Sequence, residues 1–439
     1  MSKWNGNNVL KVQSEKIQVK SDPSEFNESK EKIEPWLTAL FQSDHISLLV
    51  GSGLSTAVQK MASEKPSASM NKMEYSVFSN QIQFASNESA KKTERGTANI
   101  EDQIRIANDL LRGLEIYISE KAYGFKKLER NITKLKKEIN NNILKFAESI
   151  LGLEKDIIGA ANNKEHSTDY AEYLMNFLVS FASRSSTRER LNIFTINYDR
   201  VVEFGAELAG IRLIDRFVGT VFPIFRSSRL EVDIHYNPPG IRGEPRYLEG
   251  VVHFTKLHGS LDWIYQNGNV RRMSLPFGAE KIESYMPSSG TSQNGAKSLM
   301  IYPNSSKDRE TSEYPYVELF RDLAAAICRP NSTLVLYGYS FGDEHINRVI
   351  SDMLTIPSSH LVIISFSDEG NRIEHFFGKA TQKAQISLLI GNHYGDLKTL
   401  VDKYLPKPAI DRTTFRMVEL LKSRGFGFDN KGKQEGDKQ

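Results

Sequence analysis

Five short apolar runs, "LNIFTI", "VVHFTKL", "STLVLYGY", "HLVIISF" and "QISLLI", follow one another between residues 191 and 390. Each has the length of a strand and is partly β-branched. A continuous apolar strand is one buried on both faces, which is the condition of a parallel sheet covered by helices. The intervening segments supply that cover. "DRVVEFGAELAG", "YVELFRDLAAAI", "EHINRVISDMLT" and "NRIEHFFGKATQ" repeat their apolar residues at helical spacing. Strand and helix in strict alternation predict a doubly wound α/β fold. A sixth run, "ISLLV", stands far upstream and ends in "GSGLST".

The block between the sixth run and the other five has a different pattern. From Gln59 to Thr97 the chain is rich in Ser, Asn and Lys, which predicts a long, mobile surface loop. "NIEDQIRIANDLLRGLEIYI" then reads as an amphipathic helix. In "KLERNITKLKKEINNNILKFAESIL" the residues Leu128, Ile132, Leu135, Ile139, Ile143, Phe146 and Ile150 form a seam with Lys and Glu between. A helix packed within its own domain explains that seam more simply than self-association does. Tyr170, Tyr173, Leu174, Phe177, Leu178 and Phe181 predict one more helix. The expected organisation is a polar N-terminal arm (1–30), an α/β domain (31–60 and 190–410) and a loop plus all-helical insertion (61–189). A C-terminal helix and disordered tail (411–439) complete it. "EPWLTALFQ" is expected to be a short helix, and the segment from "LPFGAEKIESYM" to "SQNGAKS" a loop.

Composition removes several function classes. The single cysteine, Cys328, cannot build a disulfide framework or a multi-cysteine zinc site. A net charge of +3 over 439 residues gives no electrostatic case for nucleic acid or a membrane surface. No stretch approaches the ~18 apolar residues of a membrane span, and the N-terminus lacks a signal-peptide core. A cytoplasmic protein is expected.

Chemistry in an open α/β sheet collects at the carboxyl ends of the strands, and four strands here end in glycine or polar residues. "GSGLST" places Gly51, Ser52, Gly53 and Ser55 after the first strand, with Thr56 where a dinucleotide fingerprint has its third glycine. Such a loop suits a nucleotide phosphate and suits a ligand-free tight turn equally. "TINYDR" ends a second strand with Asn197, Tyr198 and Asp199. "KLHGS" ends a third with His258, Gly259 and Ser260, and "GYSFGDEH" a fourth with Gly338, Ser340 and Asp343. Individually each reads as a helix cap or a turn. Four at one sheet edge point to a site.

GSGLS, TINYD, KLHGS and GYSF, in that order, resemble the sirtuin family, and most nearly the sirtuin-like proteins of bacterial anti-phage defence, which consume NAD. "NIEDQI" and "LMIYPNSSKDRETSEYPYVELF" resemble segments of that group. The resemblance runs from about Ser47 to Asp343. It implies a sirtuin-like, Rossmann-like sheet and a set of roles. Gly51, Ser52, Gly53 and Ser55 would line pyrophosphate and ribose, with Gly338 and Ser340 at the adenosine. Asn197 would orient the nicotinamide ribose or a water, Asp199 would hold the carboxamide, and His258 would be the general base. The implied activity is hydrolysis of NAD to nicotinamide and ADP-ribose. The zinc-bound four-cysteine module of deacylating sirtuins has no counterpart here, so no zinc is expected. The group further implies a homo-oligomer and, in some members, a separately encoded ATPase of the DNA-translocating type. No G-x-x-x-x-G-K-[ST] motif occurs in this chain, so such an ATPase would be another protein. A zinc-independent deacylase and a non-catalytic nucleotide sensor are the rival readings.

Overall fold

The computed structural model describes residues 4–406 except 5, 14, 21–24, 64–72, 93–97, 120–124, 162–168, 184–188, 229–231, 237–245, 249, 287–298 and 301–313. The strands in chain order are β1 (Asn8–Lys11), β2 (Gln18–Lys20), β3 (His45–Val50), β4 (Leu191–Thr195) and β5 (Arg212–Ile214). Next come the short β6 (Phe217–Val218), β7 (Ile224–Phe225), β8 (His235–Tyr236) and β9 (Arg246–Tyr247). Then follow β10 (Val251–Lys256), β11 (Trp263–Gln266), β12 (Asn269–Arg272), β13 (Ser332–Tyr337), β14 (His360–Ser365) and β15 (Ile386–Ile390).

Nine of these form one sheet in the order β2-β1-β15-β14-β13-β3-β4-β10-β5. The six apolar runs of the sequence are its six central strands, all parallel. Counted by their own order along the chain they lie 3-2-1 on one side and 4-5-6 on the other. That is the doubly wound order, with its switch point between β3 and β13. Burial follows the reading: β3 is buried from Ile46 to Val50, and β4, β13 and β15 are buried throughout. Apolar cores lie on both faces. One contains Leu48, Val50, Val335 and Val362, the other Leu49, Leu334, Leu336 and Ile363.

The edges correct the expectation of a polar arm. β1 pairs antiparallel with β15, and β2 with β1, so the N-terminal segment extends the sheet. Val9 and Leu10 are buried, and Lys11 carries its ammonium to the carbonyl of Ile386, 2.8 Å away. A second, four-stranded sheet, β11-β12-β7-β6, and the β8-β9 pair are additions to the expected architecture.

Helix α1 (Glu25–Phe41) is longer than "EPWLTALFQ" implies and carries Pro35 inside it. α2 (Ser52–Ser63) follows the glycine loop, and α3 (Ser79–Lys92) occupies part of the predicted surface loop. The Ser/Asn/Lys composition of that region hid two helical stretches. α4 (Ile100–Ile118) starts at Asn99 with a reciprocal capping box to Asp102. α5 (Lys126–Ala161) contains the whole seam, and α6 (Asp169–Ala182) buries Tyr170, Leu174, Phe177, Leu178 and Phe181. Ile132, Leu135, Ile139, Ile143 and Phe146 pack with Ile100, Ile104 and Leu111 of α4. The seam therefore serves packing within the chain. α7 (Val201–Leu208) and the helices Tyr316–Ile327, Glu344–Met353 and Arg372–Lys379 complete the alternation. The segment expected as a C-terminal helix and tail, 411–439, lies outside the described residues.

Candidate functional site

At the switch point the backbones of two loops touch. Gly51 N–H donates to Tyr337 O at 2.9 Å and Gly53 N–H to Gly338 O at 3.1 Å. A Cβ on Gly51 would lie 2.3 Å from the Gly338 carbonyl oxygen, and one on Gly53 2.5 Å from Gly338 Cα. Gly338 itself has φ +63°. The glycines of "GSGLS" and "GYSF" are thus required, before any ligand is considered, so that two strand ends can approach without side chains. That contact shapes a cleft of about 670 Å³, the size of a small-molecule site. Its lining includes Ser52, Gly53, Thr56 and Lys60 from α2 and its start, with Gly338 and Ser340 opposite. Phe366, Glu369 and Asp396 close the far side.

Asn197, Asp199 and His258 do not line this cleft. They lie at the ends of the neighbouring strands β4 and β10, on the other side of the start of α2. Asn197 is buried, and its Nδ2 donates to Gly51 O and to Ser55 Oγ, both at 3.0 Å. A carbonyl oxygen can only accept, so the Gly51 contact fixes which end of the amide is nitrogen. Ser55 Oγ then donates to Asp199 Oδ1 at 2.9 Å, and Val201 N–H donates to the same oxygen. The result is a directional chain, Asn197 to Ser55 to Asp199, laid under the glycine loop. Asn197 Oδ1 and Asp199 Oδ2 take no part in this chain of bonds.

His258 forms a second pair. Its Nε2 lies 2.9 Å from Asp343 Oδ2, bridging from the end of β10 to the loop after β13. Asp343 also caps the helix Glu344–Met353, where its Oδ1 accepts from His345 N–H and Ile346 N–H. The cap reading and the functional reading of Asp343 therefore hold together, one for each oxygen. The contact is an ion-pair approach, without hydrogen-bond geometry at Nε2.

Three residues at the site escaped the sequence reading. Lys256, buried at the end of β10, holds the Asp199 carbonyl and lies 3.0 Å from Glu203 Oε1. Burial pushes the Glu203 carboxyl up, against the opposing pull of Lys256. Arg200, next to Asp199, reaches Glu154 of α5. A buried lysine and arginine flanking a polar strand end were the available signal, in "TK" and "YDR". Among the described residues no three His, Cys, Asp or Glu side chains cluster as metal ligands. Cys328 caps its helix with its Sγ 3.6 Å from Val349 O, and burial raises its thiol pKa. His235 and His253 lie in β8 and β10.

No curated protein matches the chain. A solved Sir2 variant with a deacetylated p53 peptide and 3′-O-acetyl ADP ribose is similar at 11% identity and a TM-score of 0.30, covering 84% of this chain and 96% of that one. A family model carries the finer information, over a span that begins at β4 and takes in Asn197, Asp199, His258, Gly338 and Ser340. Residues 191–389 match the SIR2-like domain.

Proposed function

We propose that the protein hydrolyses NAD at the nicotinamide–ribose bond, giving nicotinamide and ADP-ribose. The observation that carries the reading is the chain Asn197–Ser55–Asp199, tied to the glycine loop beside a cleft of nucleotide size. The cleft takes the adenosine and phosphate portion, with Ser52, Gly53, Gly338 and Ser340 along it. Asp199 Oδ2 accepts an N–H of the nicotinamide carboxamide. Asn197 Oδ1 accepts from a ribose hydroxyl or from the attacking water. The C1′–N bond breaks toward an oxocarbenium-like centre, and its electron pair returns to the ring nitrogen, so nicotinamide leaves neutral and needs no acid. Water adds at C1′ and its proton passes to the imidazole of His258, the imidazolium being stabilised by the nearby Asp343 carboxylate. The SIR2-like span supplies every one of these groups except the glycine loop and Ser55.

The resemblance to defence proteins extends the proposal to NAD depletion as an effector of anti-phage defence, with the protein working as a homo-oligomer beside a separately encoded ATPase. The test is nicotinamide release by the full chain without peptide. His258→Ala and Asn197→Ala should each lower it by about 10²–10⁴-fold. Asn197→Ala also gives up two buried hydrogen bonds, a cost of about 1–3 kcal/mol, so its melting is followed in parallel. Release that survives both substitutions moves the chemistry elsewhere. Release only with an acyl-lysine peptide makes the protein a deacylase, and NAD binding with no release in any condition makes it a sensor.

A further inference from the structure

Residues 197–200, just beyond the end of β4, alternate in direction. Asn197 and Asp199 turn to the glycine loop and α2, as described. Tyr198 and Arg200 turn the other way, into the helical insertion. Tyr198 is buried, donates its hydroxyl to Glu101 Oε1 of α4 at 3.3 Å, and packs its ring edge-on against Phe146 of α5. Arg200 makes a two-pronged pair with Glu154 of α5: Nη2 to Oε2 at 2.6 Å and Nε to Oε1 at 3.1 Å. Its own backbone N–H donates to Glu154 Oε1 as well, and Gly278 N–H to Oε2. Arg200 also reaches the carbonyls of Leu275 and Pro276. Glu154 is fully buried. Two residues further along α5, Asp156 accepts from Gln59 of α2 at 2.9 Å. A single insertion helix thus holds both walls of the site, α2 on one side and the Asn197–Asp199 segment on the other.

We infer that Glu154 is a positioning residue for NAD cleavage, and that the insertion sets the geometry of Asn197 and Asp199 through the Glu154–Arg200 pair. The inference rests on the proposed NAD reading. Tyr198 and Arg200 stand beside Asn197 and Asp199 in the chain and both are bound to the insertion, so a displacement of α5 is passed to the segment by those two anchors. The cleft for the adenosine half is built from the glycine loops and the strand ends β13 and β14, and Glu154 does not line it. Loss of the pair should therefore separate chemistry from binding. Displacing a reacting group by even an ångström costs rate heavily while leaving remote binding contacts in place.

The experiment is Glu154→Gln in the full chain, which keeps the side chain's shape and an accepting oxygen but removes its charge. The expected result is a fall in kcat of about tenfold to a hundredfold, with KM and ADP-ribose affinity within about threefold of wild type. Hydrogen exchange at the amides of 197–202 should quicken, and that at 52–58 should not. Tyr198→Phe, which keeps the ring on Phe146 and removes the hydroxyl that bonds Glu101, serves if Glu154→Gln does not fold; it should lower kcat with unchanged ADP-ribose binding. An unchanged kcat in the folded variant overturns the inference, as does a parallel loss of kcat and ADP-ribose affinity. If wild type releases no nicotinamide at all, the NAD reading fails and exchange alone decides: unaltered protection at 197–202 in Glu154→Gln would sink the positioning role too.

Discussion

Gly338 carries two demands at one residue. Its φ of +63° lies in the left-handed region, and a Cβ there would stand 2.6 Å from Gly53 Cα, with no flexible side chain to give way. Gly338→Ala should therefore cost about 2–5 kcal/mol, the sum of backbone strain and overpacking, read as a lowered urea midpoint at unchanged slope. Ser340→Ala, on the same loop but lining the cleft, should leave the midpoint in place and weaken ADP-ribose binding; equal midpoints for the two variants would refute this division. The sequence motif alone left a turn and a phosphate loop equally open, because both need glycine. Only the approach of the second loop, nearly three hundred residues away in sequence, shows that the turn is demanded by packing. Asn197 and His258 were legible from their place at strand ends. Their partners Ser55 and Asp343 were visible too, but not which oxygen of Asp343 serves which neighbour. Glu154 was beyond reach, since nothing local distinguishes a buried glutamate from the solvated ones along an amphipathic helix.

Among the elements, those whose burial is continuous were readable and those completed by pairing were not. β13, β14 and β15 announce themselves as apolar runs. β1 is four residues, "NVLK", whose ends are polar and whose lysine snorkels to a carbonyl, so its place in the sheet depends on β15 being there to receive it. Helix α1 docks on the same side of the sheet through a polar relay. Trp36 Nε1–H donates to Ser387 Oγ at 3.0 Å, and His360 Nε2 lies 2.9 Å from that hydroxyl. Which partner donates there is set by the tautomer of the imidazole. Burial, with Lys11 nearby, pushes His360 down from an ordinary 6.5 to about 4. The unfolded chain then binds a proton that the folded chain refuses, so stability is fully present above pH 6.5 and falls as pH drops toward 4. The whole shift corresponds to about 3 kcal/mol. His360→Gln should flatten the slope of unfolding free energy against pH across that window. An identical slope in the variant would mean that other groups carry the acid sensitivity.

At the scale of the whole molecule, the sequence divides the chain into an α/β part and a helical insertion, while the packing joins them. The core that contains Leu135, Ile139 and Ile143 of α5 also contains Tyr198, Leu261, Ile264 and Met273 from the sheet side. Farther along α5, Leu153 and Ile157 enter the core that holds Val50, Val202 and Val335. Because these apolar cores are shared between the two parts, they should unfold together. The chain offers a clean way to see this. Its three tryptophans, Trp4, Trp36 and Trp263, all lie outside 61–189, so fluorescence follows the α/β part while far-ultraviolet dichroism is weighted toward the long helices. Ile139 is fully buried deep in the insertion. Ile139→Ala should lower global stability by about 2–5 kcal/mol, and the two signals should shift by the same amount in denaturant. A dichroism transition that moved alone, with tryptophan fluorescence unshifted, would make the insertion a separately folding domain. It would then take Glu154 with it when it melts and leave Arg200 buried without its carboxylate, a state in which the sheet could stay folded but Asn197 and Asp199 would lose the support that α5 gives them.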